Sequence, residues 1–361
     1  MSTAEPTPDE IAALLQVEHL LDQRWPETKI EPSTVRIVAL MEMLGNPQLT
    51  YPCIHIAGTN GKTSVARMVD SLLTAFSRRT GRTTSPHLQS AVERISIDGK
   101  PVSPAVYVDT YREIEPFVQL VDAQSEEAGG PRMSKFEVVT AMAFAAFADA
   151  PVDVGVIEVG LGGRFDATNV LDGQAACGIA TLGIDHNEFL LTPEAGVPQE
   201  PLCRIAFEKA GIARPGVPLV TQAYPTEVTR TVIEQAMKVG AKTALRGLDW
   251  FAEVGETIAY RDRFGELTLP LPALAGTHQA DNAALAVAML RHQSQVTVSP
   301  EAMAQGIRAA RWPARLQLLG QGPLTALAPG RRVWLDGGHN VDAGLAIARH
   351  FAEAPKLHLI T

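Results

Sequence analysis

The chain switches repeatedly between two hydrophobic periods. Residues 9–22 (DEIAALLQVEHLLD) place apolar positions at helical spacing behind acidic residues in the first turn, and Arg36 to Leu44 repeats the pattern. YPCIHIAG (51–58) is a continuous apolar run ending in glycine, which predicts a short buried strand, and Thr63 to Phe76 returns to helical spacing. ERISIDGKPVS (93–103) predicts a hairpin turning at Asp98-Gly99. Val106 to Ala123 predicts a helix, and Lys135 to Asp149 a buried one, because it is apolar on most sides. DVGVIEVG (153–160) and CGIATLGID (177–185) are β-branched runs of the kind found in central parallel strands. A helix at 227–240 closes on Gly240, 250–272 alternates as small antiparallel strands, and helices follow at Asp281 to Arg291 and Pro300 to Ala310. After Arg311-Trp312-Pro313 the pattern restarts with a strand at 331–338, a helix at Val341 to Phe351 and a closing strand-like run, KLHLIT (356–361).

Strands alternating with helices predict the α/β class: a doubly wound, mostly parallel sheet with flanking helices, whose ligands gather at the carboxyl ends of the strands. Residues 1–311 read as one large domain. Residues 312–361 read as the start of a second, Rossmann-like α/β domain that is incomplete, since such a domain needs several more strands. Poor catalysis by the chain as it stands is the expectation. Of the 361 residues, 46% are hydrophobic and 20% charged, which supplies a large core and excludes general disorder. No apolar run reaches about 18 residues, so no membrane span is expected. The acidic start MSTAEPTPDEIAALL does not read as a secretory signal. Cys53, Cys177 and Cys203 are far apart with no metal spacing, which points to a reducing, cytoplasmic compartment. A net charge of −9 without a basic run argues against nucleic acid but permits an anionic small molecule in a locally positive loop.

Candidate chemistry begins where the first strand ends. Ile54-His55-Ile56-Ala57 runs into Gly58-Thr59-Asn60-Gly61-Lys62-Thr63-Ser64 and then helix. Two glycines let backbone N–H groups face a phosphate, the helix N-terminus adds its dipole, Lys62 can reach terminal phosphates and Thr63 can hold Mg²⁺. This P-loop is shorter than GxxxxGK[ST], with four residues from Gly58 to Gly61 in place of six. A carboxylate at the end of a buried strand is costly unless paired or metal-bound, so Glu158 is a Mg²⁺ ligand candidate. Ser134 with Glu137 forms a capping-box pattern that suffices to explain both residues.

Further polar motifs follow in order: Ser85-Pro86-His87-Leu88 with Glu93-Arg94-Ile95, Ser134-Lys135-Phe136-Glu137, the run from Glu158 to Asn169 (EVGLGGRFDATN), Ile184-Asp185-His186, Glu208-Lys209-Ala210-Gly211-Ile212, His278 to Ala283 (HQADNA), Arg311 to Leu316 (RWPARL) and Asp336 to Asn340 (DGGHN). With the compact GTNGKT loop, this series resembles the folylpolyglutamate synthase and dihydrofolate synthase family of the Mur ligase superfamily. Ala314 stands where that family has glycine. The segment between His186 and Lys209 looks longer than usual, with residues 190–202 carrying an insertion.

The resemblance implies an ATP- and Mg²⁺-dependent ligase, EC class 6.3.2. It would join L-glutamate to dihydropteroate, to a folate's terminal glutamate, or to both, through an acyl phosphate. It assigns ATP contacts to Gly58, Thr59, Asn60, Gly61, Lys62, Thr63, Asn282, Arg315 and Asp336. One Mg²⁺ would take Thr63 and Ser85, and a second Glu158, His186 and a carbamylated Lys209. Ser134, Lys135, Phe136, Glu137, Phe165, Asp166 and Ala167 would form the folate site, and His339 would face the active-site cleft. Lys62, Lys209, His186 and His339 are the catalytic candidates, and a monomer is expected. Two other readings compete. A cell-wall-type amino-acid ligase shares the phosphate loop but does not explain the SPHL, GGRxDATN and EKAGI motifs together. A non-catalytic nucleotide-binding homologue would follow if the insertion disables the metal site.

Overall fold

The computed structural model describes residues 5–25, 32–354 and 356–360. Its centre is an eight-stranded sheet made of β1 (Cys53–Ala57), β2 (Thr80–Thr83), β3 (Ile95–Ile97), β4 (Lys100–Pro101), β5 (Val154–Glu158), β6 (Ala176–Ile179), β7 (Pro218–Thr221) and β8 (Lys242–Leu245). The order across the sheet is β4-β3-β2-β5-β1-β6-β7-β8. From β2 to β8 every pairing is parallel, and the hairpin β3–β4 is antiparallel. Asp98 and Gly99 make its turn with φ 52° and 74°, as the Asp-Gly pair predicts. The chain winds outward from β1 in both directions, so the crevice for ligands lies at the carboxyl ends of β5, β1 and β6.

Helices cover both faces. On one, Lys62–Ala75, His278–Arg291 and Pro300–Ala309 bury Val65, Met68, Leu72, Leu285, Met289 and Ile307 against the sheet. On the other, the N-terminal helices Pro8–Asp22 and Val35–Met43 join Pro104–Glu127 and the buried helix Lys135–Asp149. Pro201–Ala210 and Thr226–Val239 enclose a smaller cluster around Ile179 and Leu219. Three antiparallel strands, β9 (Trp250–Val254), β10 (Ile258–Asp262) and β11 (Gly265–Leu269), form a separate small sheet, as their alternation predicts.

Several expectations need correction. The run 177–185 is a strand only to Ile179; beyond it the Thr181 carbonyl accepts from Thr59 and Asn60 and so serves the phosphate loop. The predicted strand at 331–338 shrinks to β13 (Trp334–Leu335), which pairs antiparallel with β12 (Gln317–Leu318) instead of opening a parallel sheet. Lys356 to Ile360 form no strand, and Leu357, Leu359 and Ile360 are exposed with no neighbouring strand among the described residues. Thr361 lies outside the described residues. The short strands β7 and β8 and the helix Pro201–Ala210 were not predicted as elements.

Candidate active site

The carboxyl ends of β1 and β5 open into a cavity of about 1130 Å³. Past Ala57 the chain turns sharply. Thr59 N–H and Asn60 N–H donate to Thr181 O at 2.8 and 3.1 Å, and Thr59 Oγ1 donates to Gly183 O at 2.9 Å. Gly61 has φ 84°, and a Cβ there would stand 2.6 Å from Asn282 Oδ1. Close approach of the loop to the helix His278–Arg291 therefore requires glycine. Lys62 begins the next helix, and its Nζ donates to Gly58 O at 2.8 Å and Thr59 O at 3.2 Å. The ammonium is thus folded over its own loop. Burial pushes its pKa down, against the pull of Glu158, Asp166 and Asp185.

Glu158 ends β5 beside Ile56 of β1 and is 3% exposed. Thr63 Oγ1 donates to one carboxylate oxygen at 2.7 Å, and Ser85 N–H to the other at 3.3 Å. Burial raises the pKa of the carboxyl, while Lys62 and the Thr63 hydrogen bond oppose the rise. These contacts gather oxygen donors around Glu158 and Thr63 at the head of a helix, the hard-ligand set that Mg²⁺ prefers. They bring Glu158 to Thr63 and Ser85, the pair assigned to the other ion. His186 does not sit at a strand end: it follows an irregular segment, is exposed and has φ 52°. Among the described residues no group of three or more His, Cys, Asp or Glu side chains is placed to hold a metal.

Lys209 lines the same cavity and is 3% exposed. Its ammonium makes no hydrogen bond or ion pair among the described residues. Burial, reinforced by Lys62, pushes its pKa down to about 7. A large share of this amine is therefore neutral near neutral pH, unlike an ordinary surface lysine.

The residues singled out for folate divide by role. Ser134 caps the helix Lys135–Asp149, and Glu137 completes the capping box while pairing with Arg36 at 3.2 Å. The Phe136 ring lies against Gly160, where a Cβ would collide with it. Lys135 turns away to Asp22 at 2.5 Å and does not line the cavity. Phe165 is 42% exposed at the cavity wall. Asp166 is spent on structure: Oδ1 accepts from Thr168 N–H at 2.9 Å and Oδ2 from Leu161 N–H at 2.8 Å, fixing the glycine loop. Ala167 follows in the same wall. Beneath the loop, burial pushes His55 down to about 3, so its imidazole is neutral where it meets Thr168 Oγ1 at 2.8 Å.

Residues after 311 close the cavity from the other side. Arg82, buried on Asp70 at 3.0 Å, carries its guanidinium 4.8 Å from the Trp312 ring centre. Asp336 accepts from Leu316 N–H and Gly338 N–H, both at 2.7 Å, and so is engaged in holding its own turn. Arg315 and His339 line the cavity, with His339 Nε2 3.6 Å from Asp185 Oδ2. Asn282 donates to Gln279 Oε1 at 3.1 Å and faces the phosphate loop through Oδ1.

Sequence reasoning assigned no role to Asn340, yet it links the two sides: it exchanges hydrogen bonds with Asn60 at 3.0 and 3.3 Å and donates to Asp185 at 2.9 Å. Its signal was its place directly after His339. Arg164, Arg204 and Glu194, also unassigned, form an ion-pair group with Glu208 on the cavity wall.

No protein-family model matches the chain. Dihydrofolate synthase/folylpolyglutamate synthase of Mycobacterium tuberculosis is 50% identical over 370 residues, covering 96% of this chain and 72% of that protein. The Bacillus subtilis protein of the same name is 33% identical over 328 residues, covering 86% and 70%. Among solved structures, M. tuberculosis folylpolyglutamate synthase complexed with ADP and AMPPCP superposes with a TM-score of 0.81 at 48% identity, covering 95% of this chain and 74% of that one. E. coli FolC in complex with DHPP and ADP gives 0.80 at 30% identity, covering 98% and 77%. The chain belongs to the folylpolyglutamate synthase/dihydrofolate synthase family and is a ligase of the ATP-dependent acid–amino-acid class.

Proposed function

We propose that this chain ligates L-glutamate to dihydropteroate, to the terminal glutamate of a folate, or to both, at the expense of ATP. The observation that carries the reading is the convergence of the compact GTNGKT loop and the EVGLGGRFDATN run on one cavity, with Thr63 bonded to Glu158. A carboxylate cannot acylate an amine directly because its leaving group is too poor. An acceptor carboxylate oxygen attacks the γ-phosphorus and ADP leaves. The glutamate amine, having lost a proton, then attacks the acyl carbon, and inorganic phosphate leaves with the former carboxylate oxygen.

In this reading, Gly58 to Gly61 and the helix N-terminus hold the phosphates, and Asn282 contacts adenine. Lys62 and Arg315 neutralise charge building on the transferring group. Thr63, Ser85 and Glu158 would hold Mg²⁺, which supplies further charge neutralisation when bound. A second ion at His186 requires Lys209 to gain oxygen donors, and the neutral fraction of its amine suits it to carbamylation. Phe136 offers a ring face to the pterin, and Phe165 lines the pteroate site. We also propose a division near residue 312: β12 and β13 form a sheet of their own, and neither Pro323–Ala326 nor Val341–His350 buries a residue. The three buried free cysteines favour a reducing, cytoplasmic setting.

ADP release tests the assignment. It should rise when dihydropteroate and L-glutamate are supplied together, and not with a nucleotide-linked cell-wall precursor. The reverse preference would assign the chain to the cell-wall type of ligase. Nucleotide binding without turnover on any acceptor would support the non-catalytic reading.

A further inference from the structure

The ion-pair group on the cavity wall has an inner and an outer half. The inner half is Glu208, 5% exposed. It accepts from Arg164 Nε and Nη2 at 3.1 and 2.9 Å and from Arg204 Nε at 3.0 Å. Arg164 is further fixed against the rings of Phe165 and Phe207, 4.4 and 5.0 Å from their centres, and Arg204 is 5% exposed. Two guanidiniums are thus held rigidly by one buried carboxylate, which leaves one positive charge unbalanced.

The outer half supplies the balance from an exposed segment. Glu194, in the exposed segment before Pro201–Ala210, accepts from Arg164 Nη1 and Nη2 at 2.9 and 2.5 Å in a two-pronged contact, and from Arg204 Nη2 at 2.9 Å. Its carboxylate stands as a bound carboxylate ligand would, on a fork that suits one. Residues 192–196 are all exposed, so Glu194 can be displaced without uncovering a core.

We propose that Arg164 and Arg204 form a receptor for a substrate carboxylate, and that Glu194 occupies it until the substrate arrives. This rests on the folate reading above and deepens it. A pteroate-type acceptor has one carboxylate, which the reaction consumes. An acceptor already bearing glutamate carries a second, unreacting carboxylate that needs a counter-charge when drawn from water. The receptor lies beside Phe165, which is proposed to line the pteroate site on the same cavity wall. Glu194 thereby sets the balance between the two acceptors: it competes with the glutamylated one and leaves the pteroate type unaffected.

The test is equilibrium binding of pteroate and of pteroylglutamate to the intact chain and to its Glu194→Gln and Arg204→Gln variants, with thermal unfolding measured in parallel. Removing the competing charge in Glu194→Gln should tighten pteroylglutamate by about tenfold and change pteroate by less than about twofold. Arg204→Gln should weaken pteroylglutamate selectively. Unchanged or equally changed affinities for both acceptors in Glu194→Gln would overturn the receptor and leave the folate reading standing. Failure of both acceptors to bind any of the three proteins would overturn the folate reading and the receptor with it.

Discussion

Replacing Lys62 by alanine should lower kcat by about two to three orders of magnitude, the usual loss when one preorganised charge is taken from a site of phosphoryl or acyl transfer. The ammonium sits on the carbonyls of Gly58 and Thr59, at the inner edge of the loop proposed to hold the phosphates. It is desolvated, which strengthens its field on a developing negative charge. Because the transferring group carries more charge near Lys62 in the transition state than in bound ATP, kcat should fall further than the affinity for ATP. If Lys62 only braced the loop, affinity, kcat and thermal stability would decline together. Full turnover by Lys62→Ala would remove the assigned role.

Lys209→Met should make the protein more stable and less active. The amine has a pKa of about 7 in the folded chain against about 10.4 when unfolded. Below pH 7 both states are protonated, and the folded one bears the whole cost of a buried ammonium. Between about pH 7 and 10 the folded amine is increasingly neutral while the unfolded one still holds its proton, so wild-type stability rises with pH across that window. A shift of this size corresponds to about 5 kcal/mol at the acid end. Methionine removes that cost. In carbonate-free buffer the variant's gain in unfolding free energy should be largest below neutrality and vanish near about pH 10. Turnover should be lost at every pH, because no amine remains to be carbamylated. A variant less stable than wild type at about pH 6 would contradict the burial argument. Full activity in the variant would dismiss Lys209 from the chemistry.

The parts legible in the sequence were those whose chemistry is local. The phosphate loop could be read because strand, glycines, lysine, hydroxyl and helix are contiguous, and the Asp98-Gly99 hairpin because a two-residue turn fixes its own register. The capping box at Ser134 and Glu137 spans one helical turn and formed as its spacing required. What failed depended on partners distant in the chain. The run to Asp185 stays β-branched and apolar past Ile179, but the backbone leaves the sheet there to serve Thr59 and Asn60, and no periodicity records that switch. The four-residue strands β7 and β8 exist because β6 offers an edge to extend. KLHLIT has strand composition and no neighbour to pair with among the described residues. In the site, Glu194 meets Arg164 from 30 residues away and Asn340 meets Asn60 from 280, so neither contact had a local signature. Lys135 and Phe136 are adjacent in sequence, yet one pairs with Asp22 outside and the other lies on Gly160 inside.

The central claim is that this cavity activates an acceptor carboxylate by phosphorylating it. Dihydropteroate with heavy oxygen in its carboxylate, incubated with ATP and L-glutamate, tests it most directly. The account predicts one heavy oxygen in the inorganic phosphate released for each amide bond formed, with ADP as the other product. Amide formation that leaves the released phosphate unlabelled, or that yields AMP and pyrophosphate, would contradict it.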